Sequence, residues 1–213
     1  MEFMQPGAFK ENANTAMADK NLRSAMTMLN DGMIPNRQGA VDRLPEFEQL
    51  SQRGRELKDH VLAHLDYYLE RFERNCKAAG GHVHWCATPE DARQAVLKIC
   101  QSVDAKSVTK GKSMIAEEIH LNAFLEQHDI EPVETDLGEY IIQLRGELPS
   151  HIIAPAVHLT KAQVEASFRE NHTELDEDRV LEEPLSLLDE ARTILRKKYF
   201  EAEVGITGAN LLI

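Results

Sequence analysis

The sequence has 213 residues, of which 42% are hydrophobic and 28% charged, the composition of an ordinary globular protein. Its 24 basic and 36 acidic side chains give a formal net charge of −12. This charge argues against nucleic acid and anionic membrane surfaces as partners, because both are bound through clustered Lys and Arg. No apolar run approaches the roughly 18 residues of a membrane helix, and no signal-peptide pattern is visible at the start. We therefore expect a soluble, cytoplasmic protein.

Residues 1–79 predict a helical extension. Apolar residues recur at spacings of three and four as far as Leu29, and Gly32 and Pro35 are then expected to break the helix. A second, long helix is predicted from about Asp42 to Ala79. This long helix either folds back over its own domain or meets a partner.

Residues 80–213 predict an α/β domain with a mainly parallel sheet flanked by helices, because short apolar runs alternate with amphipathic stretches after Gly80. The final run, 211–213, is apolar and lacks a polar tail, so we expect the sequence to be truncated inside its last strand. The predicted strands cover 82–86, 105–109, 130–134, 150–156 and 204–213, and the predicted helices cover 113–128, 137–144, 160–170 and 184–201 together with one that opens at 88–90.

Ligands of open parallel sheets bind beyond the carboxyl ends of the strands, and four polar clusters fall at such positions. In the first, Lys110 and Lys112 are followed by Ser113 and Glu117. Two ammonium groups before a helix favour an anion such as a carboxylate or phosphate, although a solvated basic turn has the same pattern. The cluster lacks the GxxxxGK[ST] pattern of a P-loop.

The second cluster begins with Glu134 at the end of a predicted strand and contains Thr135, Asp136, Gly138 and Glu139. Thr135 and Asp136 are both residues that cap helices, which explains one of them without any ligand. The two acids are equally suited to hold a hydroxyl, an amine or a metal-bound water. The sequence leaves both interpretations open.

The third and fourth clusters give weaker signals. His151 and His158 lack the third ligand and fixed spacing of most metal sites, so no metal is predicted and hydrogen-bonded histidines are the alternative. The fourth cluster, 205–210, includes Thr207 and Asn210 between glycines, which predicts a bulge or a close approach of the backbone to a ligand or neighbour. Neither a GxGxxG fingerprint nor a Ser-His-Asp arrangement is present to indicate another chemistry.

Read in order, these motifs resemble the lactate-utilisation domain family, and within it the iron–sulfur subunit. The motifs that carry the resemblance are 112–114 with 117–119, 135–139, 150–158 and 205–210. The resemblance covers about residues 40–213, and four motifs in one order are more specific than any of them alone.

The resemblance implies a relative of the sugar-isomerase and CoA-transferase α/β fold. It also implies a subunit that works with other lactate-utilisation subunits in oxidising L-lactate to pyruvate through [4Fe–4S] clusters. Such clusters require cysteine runs of the C-x₂-C-x₂-C-x₃-C-P kind, whereas this sequence has only Cys76, Cys86 and Cys100. We therefore expect no cofactor in these residues and place the clusters in a C-terminal part missing from the sequence.

Two functions follow from these observations. In the first, a loop pocket binds a small anion: Lys110 and Lys112 neutralise a carboxylate or phosphate, and Asp136 and Glu139 orient a hydroxyl or a water. In the alternative, the chain is a non-catalytic assembly domain. Its long helix docks partner subunits, and the polar clusters merely cap helices.

Overall fold

A computed structural model of the chain describes residues 6–147, 149–150, 154–181 and 183–209. The chain divides into two compact units, one formed by Thr27–Cys86 and the other by the remaining described residues. The helices are α1 Phe9–Ala18, α2 Lys20–Asp42, α3 Phe47–Ala63, α4 Leu65–Ala78, α5 Pro89–Ser102, α6 Met114–Glu118, α7 Leu121–Glu126, α8 Leu137–Arg145, α9 Lys161–Asn171 and α10 Pro184–Glu201. The strands are β1 Ser107–Lys110, β2 Glu131–Glu134 and β3 Val204–Ile206.

The three strands form one parallel sheet in the order β2-β1-β3. Residues that end a strand are register partners: Lys110 pairs with Glu134 of β2 and with Ile206 of β3. All three carboxyl ends therefore meet at one edge of the sheet, as parallel pairing requires. The predicted α/β class, with a parallel sheet flanked by helices, is confirmed.

Two apolar clusters form the core of the unit that contains the sheet. Their larger members each contribute roughly 1.5–3 kcal/mol through burial. The first cluster gathers residues of α5, β1, α6 and α7, and the second gathers residues of α8, α9 and α10. The first comprises Leu97, Cys100, Ala105, Val108, Ala116, Leu121, Leu125 and Ile130, and the second comprises Tyr140, Ile141, Phe168, Leu181, Leu187, Ala191 and Ile194.

Side-chain caps fix several of the helix starts. Thr88 and Asp91 form a reciprocal capping box at the start of α5, with Pro89 in the first turn, and the helix opens over 88–90 as the sequence predicts. Thr160 and Gln163 form the same arrangement at α9. Each cap satisfies backbone N–H groups that have no partner inside the helix.

The structure differs from the sequence prediction in the N-terminal helices. Helix α2 continues through Gly32 and Pro35, so the predicted break is wrong. The single helix predicted from Asp42 to Ala79 is divided into α3 and α4 at His64, whose φ of −128° and ψ of 34° are not helical.

Two further element predictions are wrong, and two lie partly outside the described residues. Residues 82–86 form no strand, and Trp85 is 58% exposed, so this run lacks the buried face of a half-buried strand. The helix predicted over 113–128 is divided into α6 and α7 by His120, which has a φ of +54°. In the predicted strand 150–156, the described residues form a bend and a turn, while 151–153 are outside the described chain. In the predicted closing strand, 204–213, Val204–Ile206 form β3, and residues 210–213 lie outside the described chain.

Among the residues that the structure describes, no helix has both the length and the apolar character needed to cross a membrane.

Candidate functional site

A group of charged side chains lies at the carboxyl ends of β1 and β2. We call Lys110, Lys112, Glu134, Asp136 and Glu139 the sheet-end cluster. Lys110 and Glu134 end neighbouring parallel strands, so the register places their side chains together, with Lys110 Nζ 2.6 Å from Glu134 Oε1. The two side chains are only 1% and 6% exposed. A buried ammonium and a buried carboxylate therefore form the base of the site.

The hydrogen bonds of this pair are incomplete. Asn122 Nδ2 donates to Glu134 Oε1 over 2.8 Å, but the Lys110–Glu134 contact is an ion pair without hydrogen-bond geometry. Within the described ranges, Lys110 Nζ, Glu134 Oε2 and Glu139 Oε2 are buried and lack a hydrogen-bond partner. Each such atom costs about 1–3 kcal/mol, and native structures contain few of them. Three together mark a place that is suited to a polar ligand.

Asp136 and Lys112 form the outer part of the cluster. Asp136 is the N-cap of α8, and its Oδ1 accepts from the N–H groups of Gly138 and Glu139 at 3.1 and 3.2 Å. Lys112 Nζ lies 3.7 Å from Asp136 Oδ1 and 3.9 Å from Glu139 Oε1. Both predicted lysines thus already face carboxylates of the protein itself.

Thr135 fastens the ends of the two strands to each other. Its N–H and its hydroxyl both donate to the carbonyl oxygen of Lys110, each over 3.0 Å. The hydroxyl is therefore used within the protein, and the residue positions the loop that leads to Asp136.

Two glycines allow close backbone packing around the cluster. A Cβ on Gly138 would lie 3.0 Å from Pro155 Cδ, and one on Gly208 would lie 2.9 Å from both Lys112 O and Ser113 Cα. The Gly111 N–H also donates to Ile206 O over 2.7 Å. The segment after β3, with Thr207, therefore lies against the loop after β1.

Ser113 and Glu117 belong to the short helix α6. Ser113 is its N-cap, and its Oγ accepts from the Ala116 N–H over 3.2 Å. The side chain of Glu117 is partly buried and acts on the cluster through its charge. Ser113 thus has a structural role in the described contacts.

The predicted histidines are not brought into the sheet-end cluster. His158 contacts Ser150 Oγ through Nδ1 at 2.7 Å and Glu147 Oε2 through Nε2 at 3.3 Å. Glu147 follows the C-terminal end of α8, whereas the cluster lies at its start. His151 and Asn210 lie outside the described residues. Across the described ranges, no three or more His, Cys, Asp or Glu side chains are grouped to hold a metal ion.

Glu139 has a perturbed pKa. Burial raises its pKa to about 7, and the negative charges of Glu134 and Glu117 act in the same direction, while Lys112 and Lys110 oppose them. Both protonation states are therefore populated near neutral pH. Such a residue is suited to donate or accept a proton.

The structure adds partners that the sequence interpretation did not include. The sequence places Glu134 in the second polar cluster but does not predict its pairing with Lys110, and it does not predict Asn122. The register, which is known only from the structure, pairs Lys110 with Glu134, because two parallel strands that end in residues of opposite charge bring those charges together. Nothing in the sequence identifies Asn122, which lies in α7 and not at the end of a strand.

A second buried polar group, which we call the helix-side network, consists of Tyr140, His172, Arg179 and Glu190. Tyr140 OH and His172 Nε2 are 2.8 Å apart, and His172 Nδ1 is 2.7 Å from Glu190 Oε1. Arg179 Nε donates to Glu190 Oε2 over 2.7 Å. Burial raises the pKa of Tyr140 to about 12. The members are far apart in sequence, so no local motif predicts them.

A cavity of about 680 Å³ lies beside the helix-side network. Tyr140 and His172 line it, and the ion pair of Lys198 with Glu131, at 2.7 Å, stands at its border. It shares no lining residue with the sheet-end cluster. Cavity size and chemistry therefore point to different places, and we assign the candidate site by the buried polar atoms that lack hydrogen bonds within the described residues.

These features define an α/β domain that gathers charged side chains at the carboxyl ends of parallel strands. Residues 69–213 match the family described as the LUD domain, and the chain belongs to this family. The resemblance inferred from the four sequence motifs is thereby confirmed.

Several curated relatives share the name lactate utilization protein B. The chain is 39% identical over 207 residues to that of Bacillus pumilus (strain SAFR-032), covering 97% of this chain and 43% of the relative. It is 40% identical over 207 residues to that of Bacillus subtilis (strain 168), covering 97% and 42%. It is 37% identical over 205 residues to that of Bacillus cytotoxicus, covering 96% and 42%. The chain thus spans less than half the length of these relatives. No solved structure matches it.

Proposed function

We propose that this chain is the N-terminal ligand-binding domain of an iron–sulfur subunit that takes part in oxidising L-lactate to pyruvate. The support is family membership, together with relatives that are called lactate utilization protein B along nearly the whole chain. In this proposal the protein works in the cytoplasm with other lactate-utilisation subunits. Its α/β part, 80–213, holds the ligand-binding site, and its helical part, 1–79, is a separate extension.

Electron transfer is assigned to a part of the relatives that this chain does not cover. A [4Fe–4S] cluster takes four thiolates, whereas the sequence holds three cysteines. Cys100 is fully buried in the apolar core, and Cys86 is exposed. These residues do not fit a cluster, so we assign no redox step to them.

The observation that carries the ligand-binding proposal is the incomplete hydrogen bonding of the sheet-end cluster. Lys110 Nζ is buried and ion-paired with Glu134 but makes no hydrogen bond within the described residues, and Glu139 Oε2 also lacks a hydrogen-bond partner there. A small carboxylate gives the Lys110 ammonium its acceptor, with Lys112 as a second positive charge. The hydroxyl or keto oxygen of the ligand then faces Glu139. The shared chemistry also admits phosphate as an anion.

Calorimetric titration of the purified chain with L-lactate, pyruvate and inorganic phosphate at pH 6.5 tests the pocket. We expect one ligand per chain, and we expect Lys110→Met to weaken binding at least tenfold, because truncating a buried charged partner costs roughly 2–5 kcal/mol. Lys98→Met changes an exposed lysine of α5 and provides the matched control. No heat with any of the three anions contradicts the proposal, as does equal weakening by both variants.

The second candidate function is assembly through the helical unit, and the exposed apolar residues of α3 and α4 favour it. Leu62 is 66% exposed and Tyr67 is 54% exposed. Surfaces rich in exposed apolar side chains are typical of protein interfaces. The further exposed members are Leu50, Leu57, Val61, Leu65, Leu69 and Phe72.

Co-purification with partner subunits tests this candidate. Leu62→Glu places a charge on the apolar surface and should abolish capture, while Gln52→Glu, on the same helix, should leave capture intact. Unchanged capture with Leu62→Glu contradicts docking through this surface. Lost turnover of the assembled complex in a Lys110→Ala and Asp136→Ala variant, with capture retained, favours the ligand pocket instead.

A further inference from the structure

We propose that Glu139 is the proton-carrying residue of the sheet-end cluster, and that a small monocarboxylate binds to the form in which the Glu139 carboxyl is protonated. This inference rests on the ligand-binding function proposed above. It assigns to Glu139 a role that differs from the charge neutralisation provided by Lys110 and Lys112.

The position of Glu139 gives it this role. The residue lies in the first turn of α8 and is 6% exposed, and its Oε2 has no hydrogen-bond partner among the described residues. Its Oε1 is 3.9 Å from Lys112 Nζ, which is beyond hydrogen-bond distance. Within the part of the chain that the structure describes, the buried carboxyl is therefore not held by a strong partner.

The charges of the cluster do not favour an anion while Glu139 is ionised. Lys110 and Lys112 then face the carboxylates of Glu134, Asp136 and Glu139, so three negative charges oppose two positive ones. A monocarboxylate would bring a fourth negative charge into a poorly solvated space. With a proton on Glu139 the five side chains sum to zero, and the ligand raises the total to only one negative charge.

Several described elements bring a charged group to Glu139. Lys110 comes from β1, Lys112 from the following loop, Glu117 from α6, and Glu134 from β2, while Asp136 precedes α8. Burial and the surrounding carboxylates raise the pKa of Glu139 to about 7, against the two lysines. The negative charge of an incoming ligand also raises the pKa of Glu139. Ligand binding and proton uptake therefore favour each other.

Protonation also changes the hydrogen-bonding capacity of Glu139. An ionised carboxylate only accepts hydrogen bonds, whereas a carboxylic acid donates one. The protonated residue can therefore donate to a carboxylate or keto oxygen of the ligand. The class of ligand that fits is a monoanionic small carboxylic acid, with one negative charge compensated by one proton.

The proposal is tested by calorimetric titration of the whole chain with sodium L-lactate and sodium pyruvate between pH 5.5 and 9, in buffers of different ionisation enthalpy. Protons are taken up on binding, so we expect about one proton per ligand at pH 8.5 and close to none at pH 5.5. The Kd should rise about fivefold from pH 7 to pH 8 and about tenfold from pH 8 to pH 9.

Substitution identifies the group that takes up the proton. Glu139→Gln keeps a neutral hydrogen-bond donor, so its Kd should stay constant across this range and proton uptake should disappear. Glu118→Gln removes an exposed carboxylate from α6 and should retain both effects. The buffer measurement on the unaltered chain stands by itself if Glu139→Gln does not fold.

The outcomes separate the two proposals. Binding with a constant Kd and no proton uptake in the unaltered chain overturns the role of Glu139 and leaves the pocket standing. Proton uptake that persists in Glu139→Gln also overturns it. No binding at any pH removes the pocket and, with it, the basis of this inference.

Discussion

Helix α8 places two neighbouring residues in two different buried polar environments. Glu139 belongs to the sheet-end cluster, and Tyr140 belongs to the helix-side network. In the helix-side network the described contacts form a continuous chain from the Tyr140 hydroxyl to the Arg179 guanidinium, with distances of 2.7–2.8 Å. In the sheet-end cluster three buried polar atoms lack hydrogen-bond partners among the described residues.

This difference separates a structural role from a functional one. A buried polar network whose members are all hydrogen-bonded rigidifies a core and holds its helices in one arrangement. Buried polar groups without hydrogen-bond partners destabilise the folded chain, and a ligand that supplies those partners removes this cost. Burial alone therefore does not distinguish the two groups, whereas their hydrogen bonds do.

The two groups also respond to pH in opposite directions. Burial alone would raise the pKa of Glu190, but hydrogen bonds from Arg179 and His172 hold it below its usual range. Glu190 therefore stabilises the fold above its unfolded pKa, and this contribution is lost as the pH falls. Glu139, with a raised pKa, destabilises the fold as the pH rises from 4.5 towards 7.

The largest predicted effect concerns the helix-side network. Glu190→Ala leaves His172 and Arg179 without their carboxylate, so we expect a loss of about 3–5 kcal/mol in the free energy of unfolding at pH 7. Urea denaturation measures it, with Asp189→Ala, an exposed residue of the same helix, as control. The difference between Glu190→Ala and the unaltered chain should shrink below pH 4.5. A loss under 1 kcal/mol would show that this network is not structural.

The next effect concerns Glu139. Because the folded chain holds a proton that the unfolded chain releases between pH 4.5 and about 7, Glu139→Gln should be the more stable variant above neutral pH. A pKa of 4.5 that becomes about 7 corresponds to about 3 kcal/mol, and the gain should vanish near pH 4.5. Thermal and urea unfolding at pH 5 and pH 8 measure it. If Glu139→Gln is less stable than the unaltered chain at pH 8, Glu139 has a structural role and the prediction is wrong.

The smallest effect distinguishes the cap from the ligand role of Asp136. Asp136→Ala removes the acceptor of the Gly138 and Glu139 N–H groups and should cost about 1 kcal/mol, the usual value of an N-cap. Thr160→Ala removes the cap of α9 and should cost a similar amount. If Asp136 acts only as a cap, both variants retain lactate binding. Weaker binding in Asp136→Ala alone assigns it to the pocket as well.

Local patterns in the sequence predict the α/β class and most elements around the site. Proline and threonine caps define the starts of α5 and α9, and the apolar period defines α10 with its observed bounds, Pro184–Glu201. The same reasoning fails over 82–86, because alternation predicts a strand only where a neighbouring strand and a core exist. Whether a neighbour is present is a property of the tertiary structure.

The candidate site is predictable to a smaller degree. The motifs identify Lys110, Lys112, Asp136 and Glu139 as charged residues near strand ends, and the structure brings them together. The pairing of Lys110 with Glu134 follows from the register, which the sequence does not state. His158 shows the reverse case, since a motif residue near the site in sequence makes its contacts beyond the other end of α8.

Gln143 of α8 closes the outer edge of the sheet. Its Nε2 donates to Pro132 O over 2.7 Å, and its Oε1 accepts from the Glu134 N–H over 3.0 Å. Pro132 itself has no N–H to offer. One amide side chain thus imitates a neighbouring strand along β2. Two backbone groups through which this strand could recruit a foreign chain are thus engaged, which disfavours edge-to-edge aggregation along β2.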